Sequence, residues 1–223
     1  SVDETVTLDD SMNQAISFKD SNQNIKLTGK WIKITVPAGK VYYLSNGTDN
    51  ISYPDSIVEY NDMGFYYLVN YGFDAYSEGE HYLCYTDDDN NLAEQVTLKE
   101  APNIKTLKDN AISITAEDIQ NGKFNARSLN QIYAYPTDWV PNGGFGNLYK
   151  ITVAPHTSYY LHSELSTMIY ADDAESFLAY NNIINDTDKE QTYYVWVDMA
   201  SGSAWNVEIK KSEYVTSKYA SAE

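Results

Sequence analysis

"GKWIKITVPAGKVYYL", residues 29–44, returns 117 positions later without a gap as "GNLYKITVAPHTSYYL", residues 146–161. In the first stretch Ile32, Ile34 and Val36 alternate with Trp31, Lys33 and Thr35. A period of two sends successive side chains to opposite faces, which is the mark of a half-buried β-strand. Further matches keep the same order. "HYLCYTD" at 81–87 answers "TYYVWVD" at 192–198, and "QVTLK" at 95–99 answers "NVEIK" at 206–210, both at an offset of 111. "NQAIS" at 13–17 answers "DNAIS" at 109–113 at an offset of 96. Such self-similarity reads as an internal duplication with its boundary near Ala101-Pro102. Val, Ile, Thr and Tyr dominate the repeated runs, and Pro, Gly, Asn and Asp clusters separate them. The expected fold is therefore all-β, with two tandem β-sandwich domains. The first covers 1–101, the second 102–214, and 215–223 forms a tail or linker. One short helix is expected over Ala116–Gln120, where "TAEDIQNG" carries a Thr cap and a Gly stop.

The offset grows from 96 to 117 between the first two matches, which leaves 21 extra residues between 118 and 146. That interval includes "QIYAYPTDWVPNGGFG", residues 131–146. Pro136, Pro141 and the Gly143-Gly144 pair speak against a buried strand, so the stretch reads as an aromatic insertion outside the repeated scaffold. Tyr133, Tyr135, Trp139 and Phe145 supply flat rings, with Asn130, Gln131, Asp138 and Asn142 beside them. A sugar-binding face needs both kinds: a ring for the C–H face of a pyranose and polar side chains for its hydroxyls. The same rings would equally serve to cover the sandwich or to fill the seam between copies. Trp139 is the best single platform candidate, between Asp138 and the stretch leading to Pro141.

Composition narrows the partners. Fifteen basic against 32 acidic side chains give a net charge of -17, which repels nucleic acid and anionic membranes. The 43% hydrophobic content supports a real core, and 21 Tyr against 6 Phe and 4 Trp favour wet surfaces and edges. A single cysteine, Cys84, allows no internal disulfide. No apolar run approaches the ~18 residues of a membrane helix, so no membrane insertion is expected, and the chain reads as a segment of something longer. Sequons at Asn46, Asn50 and Asn185 matter only where the source glycosylates.

The pattern "KITVPAGKVYYL … GEHYLCYTD … EQVTLK" resembles the bacterial extracellular pre-peptidase C-terminal domains, small β-sandwich repeats. The second copy departs from it at Ala154-Pro155-His156, where the first has Pro37-Ala38-Gly39. The duplicated, Tyr-rich, acidic, Cys-poor character also resembles the starch-adherence surface proteins of gut ruminococci. These resemblances imply an extracellular location, at the cell surface or secreted, among other modules of the same longer protein. They imply a polysaccharide or oligosaccharide partner, an α-glucan such as starch or maltooligosaccharides.

The remaining features read as scaffold or surface. "YNDMGFYYLVNYGFDAY" at 60–76 divides between binding surface and inter-sheet packing. By alignment Trp196 answers Tyr85, Tyr194 answers Leu83 and Cys84 answers Val195, all apolar in both copies; Trp31 answers Leu148, and Trp205 is private to the second copy. His81, His156 and His162 lack metal-ligand spacing, although the last two fall close enough to meet across a strand. Neither a paired-carboxylate cleft nor a nucleophile with its base is apparent, so no enzyme and no cofactor is expected. "TDDDNN" at 86–91 and Asp172-Asp173 offer hard oxygens for a structural Ca2+, and are also ordinary turn chemistry. The reading that results is a non-catalytic carbohydrate-binding region using Trp139, Tyr135, Tyr133 and Phe145 with Asp138, Asn142 and Gln131. The alternative is a structural spacer or adhesin module in which the rings only pack.

Overall fold

The computed structural model describes residues 3–45, 52, 54–61, 64–69, 75–86, 95–126, 132–136, 144–162, 166–198 and 206–213. They form two compact units that divide between Ala101 and Pro102. The first unit holds β1 (Glu4–Thr7), β2 (Asn13–Asp20), β3 (Gln23–Val36), β4 (Tyr42–Ser45), β5 (Ser56–Asn61), β6 (Gly64–Val69), β7 (Gly79–Tyr85) and β8 (Gln95–Glu100). They build a three-stranded sheet, β1-β8-β4, and a five-stranded sheet, β2-β3-β7-β5-β6. The alternation of β3 explains the core between them: Ile32, Ile34 and Val36 join Leu83 and Tyr85 from β7, and meet Leu44, Val96 and Leu98 from the other sheet.

The second unit opens with a 3-10 helix over Ile104–Asn110, then β9 (Ile112–Ser113) and α1 (Ala116–Asn121). The expected helix is present with both signals in use. Thr115 and Asp118 form a reciprocal capping box, and Gly122 closes the helix in the left-handed region at φ 74. There follow β10 (Lys123–Asn125), β11 (Ile132–Ala134), β12 (Gly144–Val153), β13 (Thr157–His162), β14 (Ser166–Tyr170), β15 (Phe177–Tyr180), β16 (Asn182–Asn185), β17 (Gln191–Asp198) and β18 (Asn206–Ser212). The sheets are β10-β18-β13-β16 and β11-β12-β17-β14-β15, with β9 parallel to β12. Tyr149, Ile151, Val153, Ile169, Val195 and Val197 of the larger sheet pack on Phe124, Leu161, Ile183, Val207 and Ile209 of the smaller. The strand orders of the two units correspond one for one, with β16 as an added edge.

Strand pairing corrects three details of the sequence reading. Residues 132–134 belong to the scaffold: β11 pairs antiparallel with β12, Ile132 opposite Gly146, as β2 pairs with β3, Gln14 opposite Gly29. Pro136 falls just past the ladder and Gly144 at its start, so neither interrupts it. The glycines are required here, because a Cβ on Gly146 would lie 2.1 Å from the Val197 carbonyl oxygen and one on Gly29 2.5 Å from that of Tyr85. The "NQAIS" and "DNAIS" segments do not correspond, since β2 runs antiparallel to β3 whereas β9 runs parallel to β12. What the second unit adds is 102–122, ahead of the first strand it shares with the other. Finally, Trp31 pairs with Cys84 and Leu148 with Trp196. Trp196 therefore answers Cys84 and not Tyr85, a one-residue shift that moves it to the other face of its sheet.

That other face is covered differently in each unit. In the second, Ile104 and Leu107 of the 3-10 helix lie over Leu148, Met168, Tyr170, Tyr194 and Trp196. In the first, the β2–β3 hairpin turns through Ser21 and Asn22, both at positive φ as a two-residue hairpin requires. Its Phe18 closes on Trp31, Val58 and Cys84, and reaches Phe65 of the far edge strand at 6.1 Å between ring centroids.

At one end of the first unit's core His81 is held between two acceptors. Its Nε2 donates to the Ser77 carbonyl at 2.7 Å, and its Nδ1 lies 3.1 Å from Glu59 Oε1. The hydrogen bond with His81 holds the Glu59 carboxyl below its ordinary value, against the opposing pull of burial. A lowered carboxyl stabilises the fold above its unfolded pKa, and that contribution is lost as pH falls through the folded value. Urea midpoints should thus decline on acidification below about pH 4.3, where a free glutamate titrates. Glu59→Gln should flatten that decline while weakening the fold at pH 7 by under about 1 kcal/mol, because solvent screens the half-exposed carboxylate. An acid limb identical in both proteins would remove this assignment.

Candidate functional site

Of the rings singled out in 131–146, Tyr133 is 2% exposed and therefore belongs to the core, not to a ligand platform. Its ring meets Phe145 edge-on at 5.2 Å across the β11–β12 ladder, and Phe145 is half-buried. Tyr135 is also half-buried. Its N–H donates to the Pro102 carbonyl and its carbonyl accepts from the Ile104 N–H, which fastens the start of the second unit to the end of β11. Gln131, Asp138, Trp139 and Asn142 lie outside the described residues, as do Asn130 and Trp205.

A ring that the sequence reading left in the scaffold is open to solvent. Tyr160 stands on β13, in the middle of the smaller sheet of the second unit, and is 41% exposed. Successive tyrosines on a strand face opposite ways, so Tyr159 packs on the inter-sheet core while Tyr160 points outward. On that outer face Tyr160 is flanked by Lys210 of β18 and Asn182 of β16, its direct cross-strand partners. His162 follows two residues on, its ring near-parallel to that of Tyr160 at 19° and 6.2 Å between centroids. Glu208 faces His162, Lys123 faces Glu208, and Ile184 lies opposite Ser158 in the adjacent row. The result is an open sheet face with two aligned rings and exposed amide, ammonium and carboxylate groups around them. The first unit carries the same Tyr–Lys pair as Tyr43 opposite Lys99, but Tyr43 is only 9% exposed.

The other polar candidates are occupied by local structure. Asp173 accepts from the Ser176 hydroxyl at 2.5 Å and from the Ser176 and Glu175 N–H groups at 2.8 and 2.9 Å. Those bonds, the hydroxyl's first, lower its carboxyl to about 2 and identify it as the residue that closes a turn. Residues 87–91 lie outside the described residues, and no group of three or more His, Cys, Asp or Glu side chains suited to a metal occurs among the described ones. His156 and His162 do not meet across a strand. His156 Nε2 is 2.7 Å from Asp188, at the other end of β13 from His162. Cys84 is fully buried, and burial first, then the charge of Asp55, pushes its thiol up to about 11, which makes it an inert core group. The Asn185 sequon is closed: the side chain is 0% exposed and its amide nitrogen serves the fold. Asn46 and Asn50 lie outside the described residues. No described helix is long and apolar enough to cross a membrane.

No family model matches the chain, and no curated protein matches it. Among solved structures, the CUB1-EGF-CUB2 domain of human MASP-1/3 is similar at 10% identity and a TM-score of 0.23, over 95% of this chain and 100% of that one. A likeness of that size assigns neither fold family nor function.

Proposed function

We propose that this chain is a non-catalytic carbohydrate-binding region of a larger extracellular protein, formed by duplication of one β-sandwich and binding an α-glucan by aromatic stacking. The one-for-one strand order of the two units supports the duplication. The observation that carries the binding reading is the open Tyr160 ring, aligned with His162 and flanked by Asn182 and Lys210. A flat ring takes the C–H face of a pyranose, and the neighbouring amide and ammonium groups reach its hydroxyls. The choice of α-glucan rests on the family resemblance. Trp139 stays a second platform of the same region. The spacer reading draws on Tyr133, whose ring is wholly given to packing.

Retention on insoluble starch, cellulose and xylan, followed by calorimetry with a soluble maltooligosaccharide, tests the proposal. Tyr160→Ala should weaken binding at least tenfold, about 1.4 kcal/mol. Ring stacking of about 0.5–1.5 kcal/mol together with lost burial supplies that much. Tyr43→Ala, the buried equivalent, should act on stability instead. Failure of the wild type to bind any of the three polysaccharides at micromolar protein would leave the spacer reading standing.

A further inference from the structure

The ring beside Tyr160 belongs to the one side-chain type whose charge ordinarily changes between pH 5 and 8. His162 ends β13 on the outer face of the smaller sheet and is exposed. Its centroid lies 6.2 Å from that of Tyr160, just under the about 6.4–6.8 Å step between same-side residues of a strand. The two rings are therefore successive positions of one track along β13. The other two histidines are engaged: His81 by Ser77 and Glu59, His156 by Asp188. Among the described residues no hydrogen bond or ion pair reaches the ring nitrogens of His162. Its charged neighbours come from one side. Glu208 of β18 is its direct cross-strand partner, Lys210 of β18 is diagonal to it, and Lys123 of β10 lies beyond Glu208. On the other side β16 brings Asn182 and Ile184 to this face, neither of them ionisable. Asn182 donates its amide nitrogen to the Tyr180 carbonyl at 3.1 Å, which leaves its side-chain oxygen to accept from a ligand.

We propose that His162 is the second half of the sugar platform, and that a proton and a sugar compete for its ring. The inference rests on the glycan reading of the Tyr160 face. Two consecutive sugars of a chain lying along β13 would meet Tyr160 and then His162. A neutral imidazole offers the same kind of π face as Tyr160, negative at its centre, to the weakly positive C–H groups of the second sugar. Protonation reverses that sign. An imidazolium repels those C–H groups, attracts water, and is drawn to Glu208 across the ladder and to the electron-rich Tyr160 ring beside it. Glu208 then serves the imidazolium and is lost as an acceptor for sugar hydroxyls. Linkage makes the effect reciprocal: what a proton subtracts from sugar binding, a bound sugar subtracts from proton binding.

Calorimetry of the full chain with maltotriose, from about pH 5 to about pH 8, reads this in the interval where histidine changes charge and carboxylates stay ionised. Wild-type affinity should rise at least about fivefold from the acid to the neutral end, the lower range of ordinary coupling between two ligands. His162→Phe keeps a neutral ring at every pH, so it should bind at acid pH as the wild type does at neutral pH, with no slope. His162→Ala should bind more weakly throughout, also with no slope. Both should leave the melting temperature unchanged, since the side chain is exposed. Ring-proton signals of His162 followed by NMR should titrate at lower pH in saturating maltotriose than in its absence. A slope that persists in His162→Phe, or a wild type that binds equally at both ends of the interval, would overturn the inference while leaving the sugar site standing. Absence of binding at every pH would overturn the glycan reading together with it.

Discussion

Replacing Trp196 by alanine should cost the second unit about 3–5 kcal/mol, the range for deleting a large buried ring. Trp196 is fully buried on β17, between its cross-strand partners Leu148 and Met168, in the cluster that Ile104 of the 3-10 helix helps to close. Sheet and helix are both anchored by backbone bonds and cannot collapse into the space left behind. At roughly 4–8 °C per kcal/mol for a domain of 60–100 residues, the melting midpoint should fall by more than about 10 °C. Phenylalanine separates packing from polarity at this site. The indole N–H finds no hydrogen-bond partner among the described residues, and burying an unpaired donor costs about 1–3 kcal/mol. Trp196→Phe gives up some volume but also that unpaired group, so its cost should stay under about 1.5 kcal/mol. Urea unfolding at constant slope checks both variants, and a Trp196→Phe as damaging as Trp196→Ala would contradict this account of the site.

Asn185 should rank second. Its amide nitrogen lies 3.0 Å from the carbonyls of Val153 and Ala154 and 2.8 Å from that of Lys189, so two hydrogens serve three acceptors. Its side-chain oxygen accepts from the Thr187 N–H at 3.0 Å and the Thr187 hydroxyl at 2.7 Å. One side chain thereby ties the end of β12 to the turn between β16 and β17. Asn185→Ala leaves several buried groups unanswered and should cost about 2–4 kcal/mol at 1–3 kcal/mol for each group left truly unpaired. Asn185→Asp should be worse at neutral pH, because it sets a buried charge against three carbonyl oxygens. The same bonds bar the nitrogen from glycosylation once the unit has folded. Denaturant midpoints and intact mass after expression in a glycosylating host read the two effects, and a glycan on Asn185 of the native protein would refute the burial.

Much of this fold is legible in the letters because Ile32, Ile34 and Val36 alternate cleanly with Lys33 and Thr35, and because Thr115, Asp118 and Gly122 punctuate a helix. Register failed where alternation vanishes. "YYVWV" at 193–197 is apolar at every position, since both faces of β17 are covered. A strand of that kind contains no sign of which residue faces which side, so an offset of 111 was as good as 112. The extra 21 residues are countable from the offsets, but the five-letter likeness that places them joins a hairpin strand to a segment running parallel to its sheet. Tyr160 is not distinguishable in the sequence for a related reason. It repeats Tyr43, repetition points to scaffold, and only the tertiary surroundings leave one ring covered and the other bare.

The pairing of first with last strands has a mechanical consequence. In the first unit Glu4 lies opposite Leu98 and Thr7 opposite Gln95, so the chain enters and leaves at the same end of the β1–β8 ladder. Tension applied through the two ends of such a pair loads its hydrogen bonds in succession, like a zip, instead of all together in shear. In the second unit Lys123 lies opposite Glu208 and Asn125 opposite Asn206, but residues 102–122 come first and β9 pairs parallel with β12, so that ladder is not the first to be loaded. Under a steady pull between the two ends of the first unit its outer strands would peel one bond at a time, and its hidden length would be released at low force. A unit built this way yields and absorbs shock at low force.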